Sequence, residues 1–298
     1  MILNKKITEL VDDTLDKMEA SKGILWDDGA IEKIKRSFPR NAITGSPYGW
    51  WNAMRLSLCG ESKSNLFATY KQVQQKNGHV KKGCHGHHVT FFSMYNKEKK
   101  RIAEKGDNKE DLIPLWRLYT VFRIEDTTLP APVERVVSKS ADWNATYMEI
   151  EKFLKSYMAS DDITFEQAEE NDIAYYSPSE RKIHISKKEI YHSAMRWYAT
   201  CFHECTHSTK EALNRKLERD AEEVVAELGC ALLCAYFGIR RDDEALNEAV
   251  YIKSWGRKLR EHKDWLFYGA ARAQKAVNYM LKKTGLPTFE EKFSEHVG

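Results

Sequence analysis

The sequence lacks any apolar run close to the roughly 18–20 residues that a helix needs to cross a bilayer. Its first twenty residues mix acidic and basic side chains at helical spacing, which is typical of neither a signal peptide nor a transit peptide. Internal repeats and low-complexity tracts are also absent from the sequence. These absences predict a globular protein of the cytoplasm that has no membrane partner.

Cysteine is scarce, with six residues in a chain of 298. Four of them form two pairs at i, i+4 spacing, Cys201 with Cys205 and Cys230 with Cys234. Because both pairs fall in segments with helical periodicity, we expect free thiols and no disulfide within either pair. Free thiols are typical of a reducing compartment, which again favours the cytoplasm.

Acidic residues are rare between Ile31 and Arg101. Between Ile31 and Arg101, fourteen Lys and Arg residues accompany three Asp and Glu residues, whereas residues 131–298 contain 25 basic and 28 acidic residues. Aromatic residues are interleaved with the basic ones, a mixture typical of proteins that bind single-stranded nucleic acid, because cations follow phosphates while rings stack on bases. The alternative is that the rings form a core and the lysines a solvated face. The residues that we predict to contact DNA are Trp50, Trp51, Arg55, Tyr70, Lys71, Lys81, Lys82, Lys99, Lys100 and Arg101.

The hydrophobic pattern predicts an α+β protein of two domains. A small basic α+β domain that binds single-stranded DNA is expected over residues 1–126, and it begins with an amphipathic helix over residues 1–20. A linker that contains Pro130 and Pro132 is expected over residues 127–142. Residues 143–298 are predicted to form a mostly helical domain.

Strands are predicted in both domains. The β-prone runs Val89–Tyr95 and Leu115–Ile124 are expected to pair, and Ala68–Gln75 is expected to form a short helix. In the second domain, Ile173–Tyr176 and Lys182–Ile185 flank a turn sequence and predict a β-hairpin, which we expect to align an extended substrate beside the active-site helix. The helices predicted after this hairpin cover residues 188–209, 217–237, 243–260 and 265–283.

A metal site is predicted by residues 203–207, His-Glu-Cys-Thr-His, which match the H-E-x-x-H pattern. On a helix this spacing places His203 and His207 on one face, one turn apart, so that both imidazoles reach one ion. Glu204 lies beside them and can accept a proton from a water molecule at the ion. The apolar stripe of this helix includes Cys201 and Cys205 and leaves the histidines outside it, which favours a metal site over two core histidines.

A catalytic zinc site needs a third protein ligand, and the next predicted helix offers Glu223 and Glu227 on one face. Their spacing is similar to that in gluzincins, where a ligand glutamate precedes an acid that orients a histidine. We therefore predict that Glu223 binds the metal and that Glu227 orients a histidine, and the reverse assignment stays open. Glu222 points about 100° away from Glu223 and is expected to be solvated. A solvated stripe without metal is the alternative for both glutamates.

Several separate blocks, in a constant order along almost the whole chain, carry a family resemblance. They are residues 46–52, 69–72, 77–83 and 119–122 in the first half and residues 175–178, 181–184, 198–200, 203–209 and 222–229 in the second. In these blocks the sequence resembles the ArdC-type antirestriction proteins of plasmids and phages. That family joins an N-terminal domain that binds single-stranded DNA to a C-terminal zincin-like metallopeptidase domain. This chain differs in a shorter stretch between His207 and Glu222, without the family's glycine-rich loop.

The resemblance implies antirestriction, which is the protection of incoming mobile-element DNA from host restriction enzymes. It also implies a metal held by His203, His207 and a glutamate of the 222–227 block, with Glu204 as the base. The expected cofactor is Zn²⁺, with Mn²⁺ as an alternative. The expected partners are single-stranded DNA and a host restriction or regulatory protein as substrate. Two other functions stay open: a non-proteolytic DNA-shielding protein with a structural or vestigial metal, and a zinc metallopeptidase that acts on a regulatory protein.

Overall fold

The computed structural model describes residues 5–20, 38–59, 65–130, 143–169, 174–238 and 256–294. In these ranges the protein combines helices with two β-sheets, which confirms the predicted α+β class. The predicted linker over residues 127–142 and the predicted helix over residues 243–260 lie largely outside the described residues, and the predicted domain limits stay predictions. Within the described ranges, no helix has the length and apolar character of a membrane span.

Three helices of the first half are described. Helix α1 (Lys5–Ala20) has the predicted amphipathic pattern and buries Ile7, Leu10, Val11, Leu15 and Met18 on one side. Helix α2 covers Trp50–Ser57 and helix α3 covers Tyr70–Gln75. Helix α3 begins in a capping box, in which Thr69 and Gln72 satisfy each other's backbone N–H groups.

A five-stranded sheet accompanies these helices. Its strands are β1 (Arg40–Asn41), β2 (Leu66–Thr69), β3 (His87–Asn96), β4 (Arg101–Ile102) and β5 (Leu112–Arg123), in the order β1-β2-β5-β3-β4. The long antiparallel pair of β3 and β5 confirms the predicted pairing. The helix predicted from Ala68 is wrong in its first two residues, because Ala68 and Thr69 pair with β5 as part of strand β2.

In its described residues, the second half contains a three-stranded sheet and several helices, and residues 256–261 are also helical. Its elements are α4 (Trp143–Ser160), β6 (Thr164–Ala168), β7 (Ala174–Ser177), β8 (Lys182–Ser186), α5 (Ala194–Ala212), α6 (Arg219–Phe237), α7 (Lys263–Lys283) and α8 (Phe289–Phe293). The predicted hairpin is confirmed as β7 paired with β8, and β6 extends the sheet on the other side of β8. Helix α5 begins six residues later than predicted, because Ser193 caps it at Arg196 after a short 3₁₀ turn.

One continuous hydrophobic core joins the two halves. Residues of α1 and α2 belong to the same cluster of buried side chains as residues of α4 to α7. The ring of Trp51 lies 5.1 Å from the ring of Phe267 on α7, and Trp116 of β5 lies 4.7 Å from that same ring. Ion pairs of Lys263 with Asp12 and of Arg260 with Asp16 add to this contact at the surface. Helix α7 therefore packs against both halves of the chain.

Candidate metal centre and nucleic-acid interface

Helix α5 presents the two histidines of the H-E-x-x-H pattern to one point. Its apolar stripe, which includes Trp197, Cys201 and Cys205, is buried in the core. His203 and His207 lie outside this stripe with 18% and 17% of their side chains exposed. Their Nε2 atoms are 3.0 Å apart. Helical spacing alone thus brings two imidazole donors together, as the sequence predicts.

Helix α6 brings Glu223 to the same point. The Oε2 atom of Glu223 lies 3.3 Å from His203 Nε2 and 3.5 Å from His207 Nε2. Ligands of a tetrahedral zinc ion with bonds of about 2.0–2.1 Å are about 3.3–3.4 Å apart, so the three donors have the spacing of a tetrahedral face. Among the described residues, these three form the cluster that could hold a metal ion. Two imidazoles and one carboxylate fit a divalent transition metal.

The close approach of α5 and α6 sets this geometry. A Cβ atom at Gly229 of α6 would lie 2.6 Å from both Cγ2 and Oγ1 of Thr206 on α5, which is closer than real atoms come. The Thr206 hydroxyl is itself held by the carbonyl of Phe202, 2.8 Å away. Gly229 therefore allows the two helices to approach closely enough for Glu223 to reach both histidines.

Two further carboxylates support the histidines from behind. Glu227 Oε1 lies 3.3 Å from Nδ1 of His203, and Glu222 Oε1 lies 3.7 Å from Nδ1 of His207. Each histidine thus has a carboxylate at the ring nitrogen that faces away from the candidate metal position. Such partners fix the tautomer and the orientation of a ligand histidine and increase its basicity.

The prediction that Glu222 is solvated is wrong, because the residue is 3% exposed. Its carboxylate binds the guanidinium of Arg215, whose Nη2 lies 2.5 Å from Oε1. Arg215 also donates to Thr209 Oγ1 at 2.6 Å and to the carbonyl of Thr206 at 2.9 Å. A buried carboxylate needs such compensation, and the loop between α5 and α6 supplies it. Helical phase alone could not reveal this cation.

The carboxylates dominate the protonation of the histidines. Burial by itself would lower the pKa of His203, but the charge of Glu227 and hydrogen bonds with Glu223 and Glu227 raise that pKa well above its ordinary value. Burial also opposes protonation of His207, whereas Glu222 and Glu223 raise its pKa. Because a protonated imidazole cannot bind a metal, protons compete with an ion for this site.

Glu204 lines an open cleft beside the histidines. Burial raises the pKa of Glu204, while the two histidines and a hydrogen bond from the backbone of Tyr176 lower it. The cleft has a volume of about 1050 Å³ and is also lined by Tyr175, Tyr176 and Pro178 at one side. Strand β7, which carries the two tyrosines, is the outer strand of the described sheet on this side. The arrangement combines a metal position, a buried carboxylate and an extended strand in one cleft.

Two family descriptions match the chain. The N-terminal domain of anti-restriction factor ArdC matches residues 2–122, and the zincin-like metallopeptidase domain matches residues 149–272. Crystal structures of the antirestriction ArdC protein from plasmid R388 match 95% of this chain and 98% of their own. The metal-free structure is 26% identical with a TM-score of 0.66, and the Mn(II)-bound structure is 28% identical with a TM-score of 0.68. The chain belongs to the ArdC family.

Longer proteins contain a similar region. DNA primase TraC of Escherichia coli is 28% identical over 266 residues, which are 82% of this chain and 24% of TraC. The chain therefore spans about a quarter of the length of TraC. Protein y4eC of Sinorhizobium fredii is 25% identical over 260 residues, which are 80% of its length. The ArdC-type arrangement of two domains thus occurs both in proteins of this size and within a longer one.

The ArdC-type N-terminal half buries three of the residues predicted to contact DNA. Trp50, Trp51 and Arg55 are 1%, 6% and 5% exposed. The tryptophans face the shared core, because α2 packs against α7. Arg55 donates to Thr14 at 2.9 Å, to Asp13 at 3.0 Å and to a carbonyl of β3, so each of its three side-chain nitrogens is bonded inside the protein. The predicted DNA contact is therefore wrong for these three side chains.

The other predicted contacts remain accessible in the structure. Tyr70 is 51% exposed, and Lys71, Lys81, Lys82 and Lys100 are exposed as well.

Lys99 and Arg101 are already engaged near the β3–β4 turn. Both form ion pairs with Asp107, at 2.6 Å and 3.0 Å. The hydrogen bonds from Lys99 and Arg101 and from the backbone of Glu104 also lower the pKa of Asp107. The charges of Lys99 and Arg101 are thus partly neutralised. The prediction that these two residues contact DNA stays a prediction.

Proposed function

We propose that this ArdC-type chain is an antirestriction protein that binds single-stranded DNA with its first half and holds a catalytic metal with its second. The observation that carries the proposal is the convergence of His203, His207 and Glu223 at the spacing of three metal ligands. The R388 relative is an antirestriction protein of nearly the same length, which supports the biological role. We place this role in the cytoplasm, where restriction enzymes meet incoming DNA.

We infer that the native metal is zinc. Two neutral imidazoles and one carboxylate are the ligand set of gluzincin-type catalytic zinc sites. The Mn(II)-bound structure of the R388 protein supports a divalent ion and keeps Mn²⁺ as the alternative. A bound ion would polarise a water molecule and a substrate carbonyl in the cleft. We assign Glu227 and Glu222 to the orientation of the two histidines.

The role that we propose for Glu204 is general base. Its carboxylate lines the cleft beside the histidines, and its pKa is raised by burial, which makes it a stronger base than an exposed carboxylate. A peptide extended along β7 would pass Glu204 and the metal position together. An open cleft supports a catalytic site over a closed structural one, because structural zinc sites have no free coordination position.

The DNA part of the proposal rests on exposed cations. Lys71, Lys81, Lys82 and Lys100 are the predicted contacts that remain solvent-accessible without an ion pair among the described residues. Each phosphate that they neutralise would release counterions. We therefore expect the affinity for a single-stranded oligonucleotide to fall steeply as salt is raised. A flat salt response, or no binding, would remove DNA from the proposal.

Glu204→Gln separates catalysis from metal binding, because it keeps the size of the side chain and removes its basicity. We expect this variant to bind zinc and the oligonucleotide like the wild type and to lose protection of unmodified DNA transferred into a restricting host. His203→Ala should lose both metal and protection. If DNA is still protected by both variants, the metal centre is not needed, and the non-proteolytic shielding function is correct.

A further inference from the structure

The first sheet carries two exposed aromatic rings on one face. In the register of β3 and β5, Phe91 lies opposite Arg117 and Val89 lies opposite Tyr119, so that Phe91, Arg117 and Tyr119 share a face. Phe91 is 57% exposed and Tyr119 is 41% exposed. Their ring centroids are 6.3 Å apart in an edge-to-face arrangement. The two rings form a continuous exposed surface.

The opposite face at this level of the sheet packs in part against the shared core through Trp116, whereas Phe92 on that face is 48% exposed. Phe92 and Trp116, which are paired on that face, have ring centroids 4.7 Å apart, and Trp116 packs against Phe267 of α7. Because side chains alternate along a strand, Phe91 points away from α7.

On the face of Phe91, Val89 and Val121 are buried in a small cluster with Leu56 and Phe67. Phe91 and Tyr119 do not belong to this buried cluster and keep their rings exposed.

The free charge beside the two rings is positive. The odd-numbered residues of β3 and β5, which share the face of Phe91, include Arg117 and Arg123 and no Asp or Glu. Arg123 is only 12% exposed, donates to the carbonyl of Cys59 and lies 3.9 Å from Glu125, so its charge is paired. Arg117 is exposed and forms no ion pair with the part of the chain that the structure describes. A guanidinium beside two rings suits a ligand that combines negative charge with planar groups.

We propose that Phe91 and Tyr119 stack on the bases of a single DNA strand and that Arg117 binds an adjacent phosphate. This proposal rests on the proposed DNA-binding function and identifies the stacking surface that the buried Trp50 and Trp51 do not provide. A single strand fits better than a duplex, because duplex bases are already stacked on one another.

The test measures affinity for a fluorescent oligothymidine over a series of salt concentrations. Phe91→Leu and Tyr119→Leu should each weaken binding about 5- to 150-fold, because stacking on one base contributes about 1–3 kcal/mol. Their dependence on salt should equal that of the wild type, since no charge is removed. Arg117→Gln should instead reduce the slope of log affinity against log salt by about 0.7. Phe91→Trp should retain the affinity, because the ring is preserved.

Phe92→Leu serves as the matched control, because Phe92 is similarly exposed at 48% but lies on the opposite face of β3. It should bind the oligonucleotide like the wild type. Circular dichroism and thermal unfolding check that all variants are folded, which substitutions at exposed rings permit.

Three results would overturn the proposal, each in a different way. If the wild type binds the oligonucleotide and both leucine variants bind it with the same affinity, the DNA binds elsewhere on the first half. If Phe91→Leu changes self-association in sedimentation but not DNA affinity, the face is an interface between copies of the chain. If the wild type binds no oligonucleotide, the proposed DNA function fails together with the stacking surface.

Discussion

Arg215→Met tests how the buried ion pair supports the metal centre. Both side chains of the pair are nearly inaccessible, with 4% of Arg215 and 5% of Glu222 exposed. The substitution keeps much of the apolar stem of Arg215 but leaves the Glu222 carboxylate without its cation and removes one hydrogen bond from each of two acceptors on α5. Removal of one partner from a buried ion pair costs about 3–5 kcal/mol, since the other charge stays buried. We expect the free energy of unfolding to fall by that amount.

The same substitution should weaken metal binding. Glu222 would lose the contact that keeps it at Nδ1 of His207, and loss of such a supporting partner lowers metal affinity about 10- to 100-fold. Urea unfolding followed by tryptophan fluorescence measures the stability of the metal-free protein. Competition with a chromophoric chelator measures the affinity for Zn²⁺.

Two further variants make the test of Arg215 decisive. Arg219→Met removes an exposed cation that lines the same cleft and should change stability by less than about 0.5 kcal/mol. The double variant Arg215→Met with Glu222→Met removes both charges and should recover a part of the lost stability. The reasoning is refuted if Arg215→Met is as stable as Arg219→Met and binds Zn²⁺ with wild-type affinity.

Three other substitutions probe the packing and protonation of the chain. Gly229→Ala should destabilise the protein by about 1–3 kcal/mol and weaken Zn²⁺ binding, because its methyl group would separate α6 from Thr206; the additional change Thr206→Ala should relieve a part of both effects in the same urea and chelator assays. Trp51→Ala should cost about 3–5 kcal/mol in urea unfolding, yet the folded fraction should bind an oligonucleotide like the wild type, contrary to a contact role for Trp51. Burial, together with nearby cations, lowers the pKa of His87 to about 4. Since the unfolded state then binds the proton more readily, stability should fall as pH drops from about 6.5 to about 4. His87→Gln should remove about 1–2 kcal/mol of this loss after solvent screening.

Local patterns in the sequence predicted the helices and the main strand pairs. The period of Ile7, Leu10 and Leu15 defines α1, and the alternation in β3 and β5 defines the long antiparallel pair. These patterns succeed because each depends on side chains within one segment. The local patterns did not predict strand β6. Its side chains are mostly exposed, and it is a strand because it pairs with β8, which is a separate segment of the chain.

One part of the candidate metal centre follows from local sequence patterns, and another part depends on helix packing. The spacing of His203 and His207 follows from the helix period, so the sequence alone identified both donors and predicted that Glu223 or Glu227 would join them. Which carboxylate lies at the shared Nε2 position depends on how α6 approaches α5, and the contact of Gly229 with Thr206 decides that approach.

What the sequence determined by itself was the composition of the two halves and the set of chemically active groups. The tertiary structure alone decided which of those groups face the solvent. Trp50 and Arg55 lie in a basic, aromatic segment, which is typical of nucleic-acid contacts. They are buried by α7 and α1, which are distant from them in the sequence. Helical phase predicted that Glu222 is solvated, but Arg215 of the loop after α5 binds its carboxylate. Burial is a property of the whole packed core, and a local pattern contains no information about the residues that will cover it.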